Sequence, residues 1–172
     1  MTLSEKSKYD KRKFYKLLKS GHFAEMVKES TKNAKLNASD EVYNVIKPMV
    51  AQEPDVEQFW VIFLNSRNKI LEMSCMFKGS ITSASVYPRE LVKKIISNRA
   101  AAIICCHNHP SGDPAPSRED YALTFQILVV LRSMGTTLHE HMILGNGAYH
   151  SMADHGDMAR FNQKYERLMR EA

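Results

Sequence analysis

The residues best equipped for chemistry lie together in the segment His107-Asn108-His109-Pro110-Ser111-Gly112-Asp113-Pro114-Ala115-Pro116-Ser117-Arg118-Glu119-Asp120. His107 and His109 are two positions apart, at the end of an apolar run that reads as a strand. Side chains two apart on a strand leave the same face, so both imidazoles can reach one metal ion. Asp120 falls in the first turn of a helix opening at Ser117, and the Gly/Pro-rich loop between can fold that turn back beside the histidines. Two nitrogens and a carboxylate oxygen form a borderline donor set that suits one zinc ion. Three protein ligands leave a fourth position for water, which marks a catalytic rather than a structural site.

Bound water also needs a base, and a carboxylate outside the ligand set is the usual shuttle. Glu57 is the candidate: it precedes the first buried strand, and reaches the metal if that strand neighbours residues 100–106. Ser117 could donate to the oxyanion of a tetrahedral intermediate. Each of these residues also has an ordinary reading. Ser117-x-x-Asp120 fits a capping box, and on that pair alone capping is the better explanation. Loop histidines are commonly polar surface, and Glu57 taken alone would be a surface carboxylate. His22, His139, His141, His150 and His155 show no comparable spacing. His139 and His141 repeat the His-x-His pair, but no carboxylate on an obvious helix start lies near, and they read as strand residues.

These residues must be held by a scaffold. Residues 10–36 read as helical, with Phe14, Leu17 and Leu18, then Phe23, Met26 and Val27, at helical spacing around Gly21. Ser39 is placed as the cap of a helix ending near Val50, with Pro48 set to kink or end it. Residues 59–64 form a continuous apolar run suited to a strand buried on both faces. Residues 65–68 are turn chemistry, and 69–78 the return strand. Residues 79–85 read as an extended loop or edge strand. Pro88 opens a helix through about Ser97, residues 100–106 form a second buried strand, and 107–116 a loop. The helix from Ser117 ends at Gly135. Residues 138–144 and 148–152 make a hairpin about Gly145-Asn146-Gly147. A final helix over residues 157–170 carries a stripe of Met158, Phe161, Tyr165, Leu168 and Met169, which is core by default and otherwise a partner or homodimer surface. Strands alternating with helices predict an α/β fold, a mixed β-sheet sandwiched by helices.

Composition narrows the class. The chain has 172 residues, 44% apolar and 25% charged, which suits one globular domain and a small appendage. No stretch nears the roughly 18 apolar residues of a membrane span, and the N-terminus lacks the apolar heart of a secretory signal. Cys75, Cys105 and Cys106 fit neither a disulfide framework nor a Cys-x-x-Cys zinc site, and read as reduced core residues of a cytoplasmic protein. The charge is lopsided. Residues 1–36 hold ten Lys/Arg against four Asp/Glu, and residues 37–172 hold fourteen against fifteen. The chain thus divides into a basic helical extension, 1–36, and a domain, 37–172. The extension could contact DNA or another anion; a solvated helix face is the plainer reading. His107-Asn108-His109 does not make an HNH nuclease, whose signature residues are spread over a hairpin, metal and helix.

The string from Glu57 to Gly156 resembles the RadC family, bacterial members of the JAB/MPN metalloprotease superfamily. The superfamily pattern is a Glu, then His-x-His, seven residues, Ser, two residues and Asp. Glu57, His107, His109, Ser117 and Asp120 match it. Val86-Tyr87-Pro88-Arg89-Glu90, the run from Asn98 to Ile104, the string from His107 to Asp120, and Tyr149-His150-Ser151 resemble the RadC branch in order. The resemblance implies a cytidine-deaminase-like fold with zinc at the sheet edge, and metal-dependent cleavage of amide or isopeptide bonds in a peptide substrate. The family's naming for DNA repair implies the alternative, a DNA-associated accessory protein with the zinc site structural. Where the family commonly has Leu-Asp-His, this chain has His139-Glu140-His141, a charge kept but lengthened. The helical domain that often precedes the catalytic one is not recognisable in residues 1–36, so the expectation is a stand-alone form of the kind seen on phages and mobile elements.

Overall fold

A computed structural model of the chain describes residues 20–79 and 88–171. Of the helix expected over residues 10–36, residues 10–19 lie outside that range, as do residues 80–85 of the edge segment expected at 79–85. The helices are α1 (His22–Thr31), α2 (Ser39–Val50), α3 (Pro88–Asn98), α4 (Arg118–Ser133) and α5 (Asp157–Glu171). The strands are β1 (Gln58–Leu64), β2 (Ile70–Lys78), β3 (Ala102–Asn108), β4 (Thr137–Leu144) and β5 (Tyr149–Ser151).

Every residue of β1 is buried. A run of Phe, Trp, Val, Ile and Leu has no polar face to give to water, so it must be covered on both sides. The sheet order β2-β1-β3-β4-β5 does this by placing β1 inside. It pairs antiparallel with both β2 and β3, while β3 and β4 are parallel and β4 and β5 antiparallel. The parallel step needs a crossover, which α4 supplies. Alternation along β1 then sorts the core. Phe59, Val61 and Phe63 meet Leu91 and Ile95 of α3, Leu123, Ile127 and Leu131 of α4, and Met158 of α5. Trp60, Ile62 and Leu64 meet Val42, Ile46 and Met49 of α2 on the opposite face. The result is the mixed sheet between helices that the sequence predicts.

Four local departures have physical reasons. The leading helix ends at Thr31 because Asn33 takes a left-handed backbone, φ 66°. The Asn33 amide then donates to Ile70 O at 3.0 Å and Ile70 N to Ala34 O at 2.9 Å, laying residues 33–36 beside β2. Ser39 does not cap α2: Ala38 holds that position without a side-chain bond. The Ser39 hydroxyl instead lies 3.2 Å from Ser151 Oγ and 3.5 Å from Glu140 Oε2. Pro48 sits inside α2, which runs on to Val50. β3 extends two residues past the expected strand and includes His107 and Asn108.

A further departure is a bulge. Ile103 pairs with Leu138 and Ile104 with Glu140, so His139 has no partner across the sheet. One extra residue reverses the alternation. Leu138 and Ile143 therefore join the α4 face, while Met142 and Leu144 join the α2 face. The stripe on α5 divides as well. Met158, Phe161 and Tyr165 pack on the core, and Leu168 and Met169 are exposed. Cys105 and Cys106 are buried free thiols. Among the described residues, no helix is long and apolar enough to cross a membrane.

Candidate metal centre

The carboxyl ends of β3 and β4 meet the amino end of α4, and the chemistry-bearing residues converge there. His107, the last histidine within β3, is fully buried. His109 follows just beyond the strand end, with its side chain 18% exposed. Their Nε2 atoms are 3.0 Å apart, as two-residue alternation predicts.

The loop after His109 is tightly closed. The His109 amide donates to Leu144 O at 2.9 Å, and Gly112 N donates back to His109 O at 2.9 Å. Gly112 has φ 86°, and a Cβ there would meet Asn146 Nδ2 at 2.3 Å, so glycine is required. This closure brings the Asp113 carbonyl 2.7 Å from His109 Nδ1. A carbonyl only accepts, so Nδ1 carries the proton and, in the neutral ring, Nε2 presents its lone pair.

Asp120 arrives on the first turn of α4. Its Oδ1 stands 3.1 Å from His107 Nε2, and its Oδ2 3.4 Å from His109 Nε2. Asp120 is also half of a complete capping box. Ser117 N and Oγ each donate to Oδ2 at 2.7 Å, and Asp120 N donates to Ser117 Oγ at 3.0 Å. Capping and facing the histidines are therefore compatible: the cap fixes the carboxylate that the imidazoles meet. The Ser117 hydroxyl proton is committed to Asp120 in this arrangement. Burial acts to raise the Asp120 pKa, but the hydrogen bonds of His107 and His109 outweigh it, and the carboxyl lies well below the usual range. The same contact with Asp120 raises the pKa of His109, against burial.

Glu57 comes from the opposite side. Phe59 pairs with His107 across β1 and β3, so Glu57, two residues earlier, arrives level with His109. The neighbouring of β1 and β3, on which its reach depends, is thus met. The ligand-capable atoms of Glu57, His107 and His109 all lie within 4.8 Å of one another. Asn108, the residue between the two histidines, holds this approach in place. Its Oδ1 accepts from Gln58 N at 2.8 Å, and its Nδ2 donates to Val56 O at 3.0 Å.

A family model described as a RadC-like JAB domain matches residues 36–157. The chain belongs to this family. It is 39% identical over 115 residues to a UPF0758 protein of Symbiobacterium thermophilum, covering 67% of this chain and 49% of the relative. A UPF0758 protein of Pseudomonas fluorescens is 39% identical over 137 residues, 80% of this chain and 59% of its own. One from Clostridium beijerinckii is 42% identical over 104 residues, 60% of this chain and 45% of its own. The chain spans about half the length of the curated relatives it matches.

JAB domains often bind zinc, and the donor set of this RadC-like domain fits that metal. A tetrahedral zinc with bonds of about 2.0–2.1 Å has ligand-to-ligand edges of about 3.3 Å. The two Nε2 atoms stand 3.0 Å apart, and Asp120 Oδ1 stands 3.1 Å from that of His107, both close to such an edge. The donors are two imidazole nitrogens and a carboxylate held in its charged form, the borderline set zinc favours.

Two contacts in this domain were not anticipated from sequence. His107 Nδ1 lies 2.9 Å from Nε2 of the fully buried His141, whose Nδ1 lies 2.5 Å from Thr124 Oγ1. Burial, then repulsion from His107, holds the His141 pKa well below the usual imidazole range. The spacing carried a usable signal for Thr124, which lies one helical turn after Asp120 on the same face of α4. For His141 it carried none, because the bulge that turns it inward has no sequence mark.

Proposed function

We propose that this RadC-like JAB domain is a zinc-dependent hydrolase that cuts an amide bond in a peptide or isopeptide substrate. The observation that carries the reading is the convergence of His107 Nε2, His109 Nε2 and the Asp120 carboxylate, with Glu57 beside the histidines just before the neighbouring strand. In this reading His107, His109 and Asp120 hold the metal. Bound there, zinc supplies a Lewis acid that brings the pKa of water towards about 7. Glu57 takes a proton from the attacking water and returns it to the leaving amine. Ser117 serves as an oxyanion donor by turning its hydroxyl proton away from Asp120 Oδ2.

A hollow of about 220 Å³ beside His109 is lined by Lys47, Asp55 and Asn146 among others. Pockets for whole drug-sized ligands run from about 300 Å³ upward, so this one suits a single substrate side chain. The rival role, DNA association, draws on the charge of residues 1–36 and on the family's naming for DNA repair.

The test uses metal-free protein, a panel of fluorogenic peptides and isopeptides, and added zinc. Hydrolysis of at least one panel member should appear with zinc, vanish with a chelator, and return on re-addition. The Glu57→Gln protein should take up zinc without hydrolysing. Zinc-independent cleavage, or wild-type turnover by Glu57→Gln, overturns the assignment.

A further inference from the structure

We propose that His141, backed by Thr124, is a positioning residue that fixes the ring tautomer of His107 and so presents a bare Nε2 to the metal. This rests on the reading of His107, His109 and Asp120 as zinc ligands.

The argument is proton bookkeeping along one buried line. Thr124 Oγ1 lies 2.6 Å from the Asp120 backbone carbonyl oxygen and 2.5 Å from His141 Nδ1. A hydroxyl has one proton to give. Were it given to His141, two acceptor oxygens would face each other at 2.6 Å with no proton between them. The hydroxyl therefore donates to the carbonyl one turn back in α4. Its oxygen must then accept, so His141 Nδ1 carries a proton. A neutral imidazole has only one, which leaves His141 Nε2 as an acceptor. At 2.9 Å from that acceptor, His107 Nδ1 must be the donor. In the neutral ring, the form a metal ion binds, His107 Nε2 is then bare, 3.0 Å from His109 Nε2 and 3.1 Å from Asp120 Oδ1.

The geometry excludes His141 as a ligand itself, since its nearer nitrogen is occupied by His107. It also gives the β4 bulge a purpose. Without the extra residue at His139, strict alternation would place His141 on the α2 face, away from His107. The same helical turn thus supplies the Asp120 carboxylate through its side chain and the anchor of the relay through its main chain.

The test has two arms on the full chain. Nitrogen-15 NMR of the metal-free protein reads the His107 tautomer directly. A proton on His107 Nδ1 supports the relay, and a ring with Nδ1 bare and its one proton on Nε2 overturns it. The second arm measures zinc affinity by competition with a chelating dye. Thr124→Val removes the hydroxyl with little change of shape, and should weaken zinc binding roughly 10- to 100-fold. Thr124→Ser restores the hydroxyl and should bind within about threefold of wild type. His141→Gln, whose carboxamide oxygen can accept from Nδ1, should bind better than His141→Leu. Equal affinities for Thr124→Val and wild type overturn the proposal. If wild type takes up no zinc at all, the hydrolase reading fails, and the nitrogen spectrum still decides the tautomer.

Discussion

The chain contains the His-x-His spacing twice, and the two copies have opposite fates. His107 and His109 end β3 in regular alternation, and their Nε2 atoms meet at 3.0 Å. His139 and His141 straddle a bulge in β4. His141 turns inward beneath His107, while His139 turns outward, 3.1 Å from Asn68 Oδ1 at the surface. The middle residues differ too. Asn108 ties the end of β3 to the chain before β1. Glu140 accepts from the Ser151 hydroxyl and from Ala153 N, tying β4 to the end of β5 and the chain after it. Identical spacing brings two imidazole nitrogens together beside a carboxylate only where the strand is regular and that carboxylate sits on the facing helix. Where the strand bulges, it gives one supporting imidazole and one surface residue.

The sharpest way to break this comparison is to remove one histidine from each pair. His109→Ala should lower zinc affinity at least about 100-fold, whereas His139→Ala should leave it unchanged and alter stability by no more than about 0.5 kcal/mol. Asp120→Asn separates cap from ligand: the amide can still cap α4, so the helix should survive while zinc is lost. Calorimetric zinc titration beside thermal melts of the metal-free proteins reads both. Next in size, Glu57→Gln should reduce turnover by about 10²- to 10⁴-fold while zinc stoichiometry holds, the mark of a proton shuttle.

Smaller effects probe the capping and middle residues. Ser117→Ala removes the N-cap acceptor and should cost about 1 kcal/mol in urea unfolding of the metal-free chain. Burial pushes the Glu140 carboxyl up, against the hydrogen bonds from Ser151 and Ala153. A raised folded pKa means that the folded state holds the proton more tightly than the unfolded one. Stability is therefore lost as pH rises from the ordinary carboxylate range through the raised value. Glu140→Gln removes that loss, so its stability relative to wild type should improve as pH rises above the ordinary carboxylate range. A difference that stays flat over that rise would mean that Glu140 ionises freely.

Much of this was legible in the sequence, for identifiable reasons. The β1 run had no polar alternate residues, so its place inside the sheet followed from composition. The spacing from His107 to Asp120 named the residues that now face one another, and Glu57 needed only the β1–β3 pairing. What was not legible depends on long-range partners. Ser39 looks like a cap in sequence, yet its hydroxyl lies against Ser151 and Glu140, more than a hundred residues away. The bulge at His139 is a matter of register with β3, which one strand's own residues do not encode. For Asp120 the helix cap and the approach to the histidines looked like rival explanations in sequence, yet Oδ2 takes the cap bonds while Oδ1 lies 3.1 Å from His107 Nε2.

The central claim is that His107, His109 and Asp120 form one metal site and that His139 has no part in it. The most direct test is zinc titration of metal-free protein carrying no histidine tag. Close to one equivalent should bind to wild type and to His139→Ala, and far less to His109→Ala. No uptake by wild type, or uptake indifferent to the loss of His109, would contradict the account.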